Sequence, residues 1–147
     1  MAWIRVHTSC METDLTDGTW TLDPDDGFIG HVGGLWRREI GGKPEFAFVA
    51  QNFHANRNGV IHGGMLMTFI DRAFGHTTRI ATGAPRGTTV SLTHQFLTPA
   101  KIGDLVQIAP QITKATTRLV FVTGTAFIGD APVISAQGVW RITRSTG

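Results

Sequence analysis

One stretch of helical periodicity, followed by a run of strand-like segments, limits this chain to few folds. From Gly63 to about Thr82 the sequence GGMLMTFIDRAFGHTTRIAT spaces Met65, Leu66, Phe69, Ile70, Ala73 and Phe74 by turns of a helix, so all six share one face. Gly83-Ala84-Pro85 ends the segment, since neither glycine nor proline continues a helix well. Beyond it, residues 88–97, 105–114, 117–128 and 133–143 are rich in Val, Ile, Thr and Phe, which suit a pleated, half-buried surface. Turn signals separate them at 99–104, at Ala115-Thr116 and at Gly129-Asp130-Ala131-Pro132. Glu45-Phe46-Ala47-Phe48-Val49-Ala50-Gln51 is an earlier strand candidate. One long helix and then antiparallel-looking strands predict an α+β domain whose helix covers one sheet face.

Residues 12–34 mix acids, glycines and turn residues, the pattern of an irregular arm or short helical pieces. The expected organisation is an N-terminal arm over 1–40 and a main domain over 41–147. With 41% hydrophobic and 16% charged residues, the composition is that of a globular protein. The formal net charge is only +2 and the densest basic cluster is Arg37-Arg38, which argues against nucleic acid as a partner. Cys10 is the only cysteine, so no intrachain disulfide can form and the usual zinc-cluster spacings are absent. The opening MAWIRVHTSCMETDL lacks the apolar core of a signal peptide. No later stretch approaches the roughly 18 apolar residues of a membrane span. A cytoplasmic protein with no membrane partner is the expectation.

Three features around the helix point to chemistry. First, Gly63 and Gly64 stand where the helix begins, although glycine costs about 1 kcal/mol against alanine inside a helix. A helix N-terminus carries free N–H groups and a partial positive charge. Glycine lets a ligand oxygen approach that backbone closely, as an oxyanion site requires; a plain tight turn would use the same residues. Second, Asp71 lies mid-helix with Met67, Thr68, Phe74 and Gly75 at its same-face positions, so no cation answers it there. Arg72 is adjacent and points elsewhere. Such a carboxylate is expected to be partly desolvated and therefore a stronger base or nucleophile; an Asp facing solvent at the edge of the stripe is the alternative. Third, Gly63 and Asp71 are eight residues apart, roughly 12 Å along a straight helix. One helix cannot bring both to the same carbonyl carbon. Two antiparallel copies can, and a two-fold dimer would then hold two equivalent composite sites.

His54-x-Asn56, then Gly59-Val60-Ile61-His62-Gly63-Gly64, then Asp71, resembles the signature of hotdog-fold thioesterases, in particular the phenylacetate-degradation (PaaI-like) branch related to 4-hydroxybenzoyl-CoA thioesterases. The resemblance continues through Thr88-Thr89-Val90-Ser91-Leu92 and Phe96-Leu97-Thr98-Pro99-Ala100-Lys101-x-Gly103-Asp104, and covers about residues 45 to 143. It implies a hotdog fold, with five or six antiparallel strands wrapped around one long helix. It also implies homodimers paired into homotetramers, and hydrolysis of aryl- or medium-chain acyl-CoA without metal or cofactor. Carried onto matching positions, the Gly63 N–H polarises the thioester carbonyl, with Asn56 nearby. Asp71 of the partner subunit activates water or attacks directly, and Thr89 helps to place that water. His62 orients its neighbours or assists the leaving thiolate.

The same resemblance makes Gly64, Lys114 and Arg118 candidate substrate-binding positions. Many relatives carry a glycine followed by basic residues in the third strand hairpin, near the CoA nucleotide. Here Lys114-Ala115-Thr116-Thr117-Arg118 keeps the bases and lacks the glycine, so Lys114 and Arg118 serve equally well as solvated strand-end charges. A thioester needs little more than these groups, because its carbonyl is reactive and its thiolate leaves readily.

His54, His62 and His76 have no ligand spacing that suits a metal. Trp3, Trp20, Trp36 and Trp140 are expected core or interface anchors, with Trp36 a candidate for lining the acyl pocket. Cys10 has no identifiable base partner. Two other functions remain open on the same fold: an enoyl or 3-hydroxyacyl thioester hydratase-dehydratase, and a non-catalytic acyl-CoA-binding protein.

Overall fold

A computed structural model describes residues 5–6 and 13–144; Trp3 and Cys10 lie outside the described residues. In chain order the elements are β1 (Arg5–Val6), β2 (Thr13–Asp14), β3 (Thr21–Leu22), α1 (Phe28–His31), β4 (Trp36–Ile40), β5 (Lys43–Val49), α2 (Gly63–Thr82), β6 (Arg86–Phe96), β7 (Leu105–Ile108), β8 (Gln111–Ala115), β9 (Leu119–Ile128) and β10 (Ala131–Thr143). A 3-10 turn at Asn52–His54 precedes α2. β1 and β2 pair with each other, and the other strands form an eight-stranded antiparallel sheet ordered β3-β4-β5-β7-β9-β10-β6, with β8 also on β9.

The helix forms where its periodicity predicts. Met65, Leu66, Phe69, Ile70, Ala73 and Phe74 are all buried against the sheet, joined by Thr77 and Thr78. Gly83 closes the helix at φ +68, a conformation glycine adopts without the penalty a Cβ brings, and its N–H bonds the Arg79 carbonyl at 2.9 Å. Phe69 meets Phe48 edge-on at 4.8 Å between centroids, and Phe74 meets Trp140 at 5.7 Å. Each fully buried side chain of this size contributes about 1.5–3 kcal/mol, and these contacts seat α2 across the sheet. No helix among the described residues is long and apolar enough to cross a membrane.

Three expectations need correction. The stretch 105–114 is two strands, because Pro110 cannot donate to the ladder and breaks the run between β7 and β8. The arm is more than irregular chain: β3 and β4 extend the sheet to eight strands, beyond the five or six expected. The β4–β5 hairpin, Trp36 paired with Ala47 and Ile40 with Lys43, spans residue 40. Trp36 does not line a pocket beside α2. It shares the far side of the sheet with Ala47, in a second cluster built on Leu15, Trp20, Ala47 and Leu105.

β6 stands at the margin of the sheet, and nine of its eleven residues are exposed. Against β10 its register runs Ser91↔Val139 and then Thr89↔Trp140, leaving Val90 as an extra residue. This bulge reverses the side-chain alternation. Thr89 therefore faces α2 together with Leu92, His94 and Phe96, although an unbroken strand would turn it away.

Candidate active site

Asp71 and Thr89 come together. Asp71 leaves α2 on the flank beside β6, the bulge turns Thr89 toward it, and the Thr89 hydroxyl donates to Asp71 Oδ1 at 2.7 Å. No cation pairs with Asp71 among the described residues. Within one chain the carboxylate is exposed, so its desolvation is not provided by its own helix, contrary to expectation. Arg72 points the opposite way and binds Asp23 through Nε at 2.9 Å and Nη2 at 2.8 Å, with Asp25 at 3.5 Å.

At the start of α2 the two glycine amides differ. His62 Nδ1 accepts from Gly64 N–H at 2.8 Å and caps the helix. That bond places the proton of neutral His62 on Nε2. The Gly63 N–H has no acceptor among the described residues. A Cβ at Gly63 would stand 3.2 Å from Phe96 Cζ, so the strand ring packs directly on the helix terminus.

The preceding loop is shaped by its own polar residues. Asn56 Oδ1 accepts from the N–H of Asn58 at 2.8 Å and of Val60 at 3.3 Å, leaving its amide nitrogen for other partners. Buried His54 accepts from Gln51 N–H through Nδ1 at 3.0 Å and donates from Nε2 to the Val32 carbonyl at 2.6 Å. It ties the arm to the loop. Lys114 and Arg118 are exposed at the β8–β9 hairpin, whose turn Thr116 holds through Leu119 N–H at 2.9 Å. Within one chain they do not join Asp71.

Two histidines gain significance only from the structure. His94 faces the helix with Nε2 buried and without a hydrogen-bond partner among the described residues. Burial holds its pKa below the usual histidine range, with the charge of Asp71 pulling it partly back. Its direction follows from plain alternation with Leu92 and Phe96, but nothing in the sequence marks it as a partner of Asp71. His76 is pulled down to about 4, first by burial and then by Arg37, with Arg79 and Arg72 adding to the drop and Asp23 opposing it. It is a neutral imidazole in a positively charged corner.

A cleft of about 350 Å³ runs from Asp71 and Thr89 past Gly75 and Trp140 to Arg79 and Arg86. Larger hollows of about 600 and 530 Å³ lie elsewhere. They hold no histidine, and their one carboxylate, Glu45, is paired with Arg38 at 2.7 Å.

Residues 58–135 match the family model of the thioesterase superfamily. A Pseudomonas aeruginosa protein named as a candidate esterase is 30% identical over 90 residues, which is 60% of this chain and 67% of that protein. A Saccharolobus solfataricus candidate esterase is also 30% identical, over 60% of this chain and 59% of its own length; the chain thus spans less than two thirds of this second relative. Among solved structures, the Escherichia coli PaaI protein from the phenylacetic acid degradation operon superposes with a TM-score of 0.74 at 17% identity, covering 83% of this chain and 88% of that one. A hypothetical thioesterase protein with coenzyme A from Streptococcus pneumoniae gives 0.68 at 21%, covering 76% and 91%. At such identities the likeness establishes the fold, which is the hotdog arrangement of sheet and long helix.

Proposed function

The chain belongs to the thioesterase superfamily, a class of thioester hydrolases, and from that premise we propose that it hydrolyses acyl-CoA at a centre shared by two copies. The observation that carries the proposal is Asp71, held by Thr89 at 2.7 Å and answered by no cation among the described residues, on the open flank of α2. The Thr89 hydrogen is committed to Asp71, so toward a water molecule Thr89 acts only as an acceptor. Water that donates to Thr89 Oγ1 and to Asp71 Oδ2 keeps an oxygen lone pair free to attack. Asp71 takes its proton, the thioester carbonyl becomes an oxyanion, and the C–S bond then breaks to release acid and CoA thiolate. The thiolate regains the proton that Asp71 took, and the His62 Nε2–H can donate a hydrogen bond to the departing sulfur.

The oxyanion donor is Gly63 N–H of the partner subunit. An antiparallel helix pair brings it onto Asp71 when the two-fold axis passes Met67, midway between the two positions. Met67 is exposed, as are Val90, Phe96 and Leu97, an unusual load for one flank of a free chain. The strand agrees with the helix. Since Gly63 lies on Phe96 and Asp71 on Thr89, the same axis meets β6 near Thr93. With bulged Val90 set aside, Thr93 pairs with itself and Thr89 stands opposite the partner's Phe96. Pairing two exposed edges this way covers open N–H and C=O groups and withdraws Asp71 from water.

Asp71→Asn is expected to cut thiol release from acyl-CoA by about 10²–10⁴ while leaving the oligomer intact; an unchanged rate removes Asp71 from the chemistry. One observation favours a second chemistry: His94 faces the same seam as Asp71 with a free Nε2, and a histidine beside an acid suits hydration of an enoyl thioester. Enoyl-CoA absorbance that falls without thiol release would select it.

A further inference from the structure

Arg79 and Arg86 close the end of the cleft away from Asp71. Of the neighbouring arginines, Arg72 is answered by Asp23 and Asp25, Arg38 by Glu45, and Arg37 bonds His76 at 2.8 Å. The Arg86 side chain has no acidic or hydrogen-bonding partner among the described residues, and that of Arg79 has only His76, whose Nδ1 is 3.3 Å from Nη2. That contact cannot be a hydrogen bond if His76 Nε2, at 2.8 Å, accepts from Arg37, because a neutral imidazole accepts at one nitrogen only. Two guanidiniums therefore end a cleft whose one carboxylate is Asp71. Trp140 and Gly75 also line it, packed closely enough that a Cβ at Gly75 would stand 3.3 Å from Trp140 Nε1.

We propose that this end of the cleft binds a carboxylate at the far terminus of the acyl group, so that the preferred substrates are CoA monothioesters of dicarboxylic acids. The inference rests on Asp71 as the reaction centre. Arg79 lies two helical turns beyond it, about 12 Å along the axis, its guanidinium beside His76 and lining the same cleft. A short to medium diacid spans that gap. His76 beside Arg79 stays neutral, held down first by burial and then by Arg37, with Arg79 adding to the drop. The phosphates of CoA are a second source of negative charge, separated from the sulfur by the longer pantetheine arm.

The test compares glutaryl-, adipyl- and suberyl-CoA with monocarboxylic esters of equal chain length, for the native protein and for Arg79→Met and Arg86→Met. The native protein is expected to favour at least one diacid ester by about tenfold or more in kcat/KM, the effect of one charge-assisted hydrogen bond. Each variant should collapse that ratio mainly through KM, with circular dichroism verifying the fold. Equal losses on both substrate series would assign the cations to the CoA phosphates and overturn the proposal. A native preference for the monocarboxylic esters would overturn it too, yet leave hydrolysis at Asp71 standing. No thiol release from any ester would remove both.

Discussion

The two flanks of α2 are built from neighbouring residues and have opposite fates. Arg72 turns to the flank that the arm closes, where Asp23, only 6% exposed, holds it at 2.8 Å and Arg37 meets His76. Asp71, one residue earlier, turns to the flank along β6, where Thr89 is its one bonding partner among the described residues and Met67, Val90 and Phe96 are exposed. On the first flank Arg72, Asp23, Arg37 and His76 find partners within the chain, and their role is to hold the arm against the sheet. On the second, an unpaired acid, an unbonded Gly63 amide and a bare strand edge lie together. Groups left incomplete by their own chain are the ones a second copy and a substrate can complete.

Matched substitutions on the two flanks should separate these roles. Asp71→Asn should remove about 10²–10⁴ of turnover with little change in stability. Asp23→Asn should instead cost about 2 kcal/mol of stability through the weakened bonds to Arg72, with turnover per folded molecule retained. Urea unfolding and thiol release on both proteins read the two effects; one substitution doing both would erase the contrast. Next in size, Met67→Asp sets like charges against each other on the proposed two-fold axis. It should shift the chain to monomer in sedimentation analysis and lower activity in step with the dimer fraction. An active monomer would place the whole centre within one chain.

The smallest expected effect lies on the closed flank. Free His76 in the unfolded chain takes up a proton near pH 6.5, whereas the folded group waits until about 4. Between those values the unfolded state binds more protons, so stability falls as the pH drops through that window. His76→Gln, which can still accept from Arg37, should flatten this part of the pH profile in urea midpoints. An unchanged slope would assign the loss to other groups.

Much of this contrast was legible in the sequence, and what was hidden has identifiable causes. The α2 stripe, the glycines at its start and the lack of a cation near Asp71 follow from local spacing. β4 does not read as a strand because WRREI carries three charges in five residues, and the contacts that justify them are distant: Arg37 with His76, Arg38 with Glu45 and with the Trp20 ring at 4.2 Å. Pro110 was a visible break that outweighed the β-rich composition around it. The direction of Thr89 depends on one bulged residue, Val90, and a bulge fixed by pairing with β10 leaves no mark on β6 itself. Arg79 and Arg86 look like ordinary surface charges until their missing partners are counted.

Mixing two crippled chains tests the shared centre most directly. Gly63→Pro removes the proposed oxyanion N–H at the first helical position, where proline is well tolerated, and should by itself cost about 10²–10³ in turnover. Asp71→Asn removes the proposed base. In a mixed dimer, one centre carries both lesions and the other carries neither. Co-refolding equal amounts should therefore restore about one quarter of native activity, since half the dimers are mixed and half their centres are intact. Activity no higher than the average of the two separate variants would mean that Gly63 and Asp71 serve the same chain's site, contradicting the account.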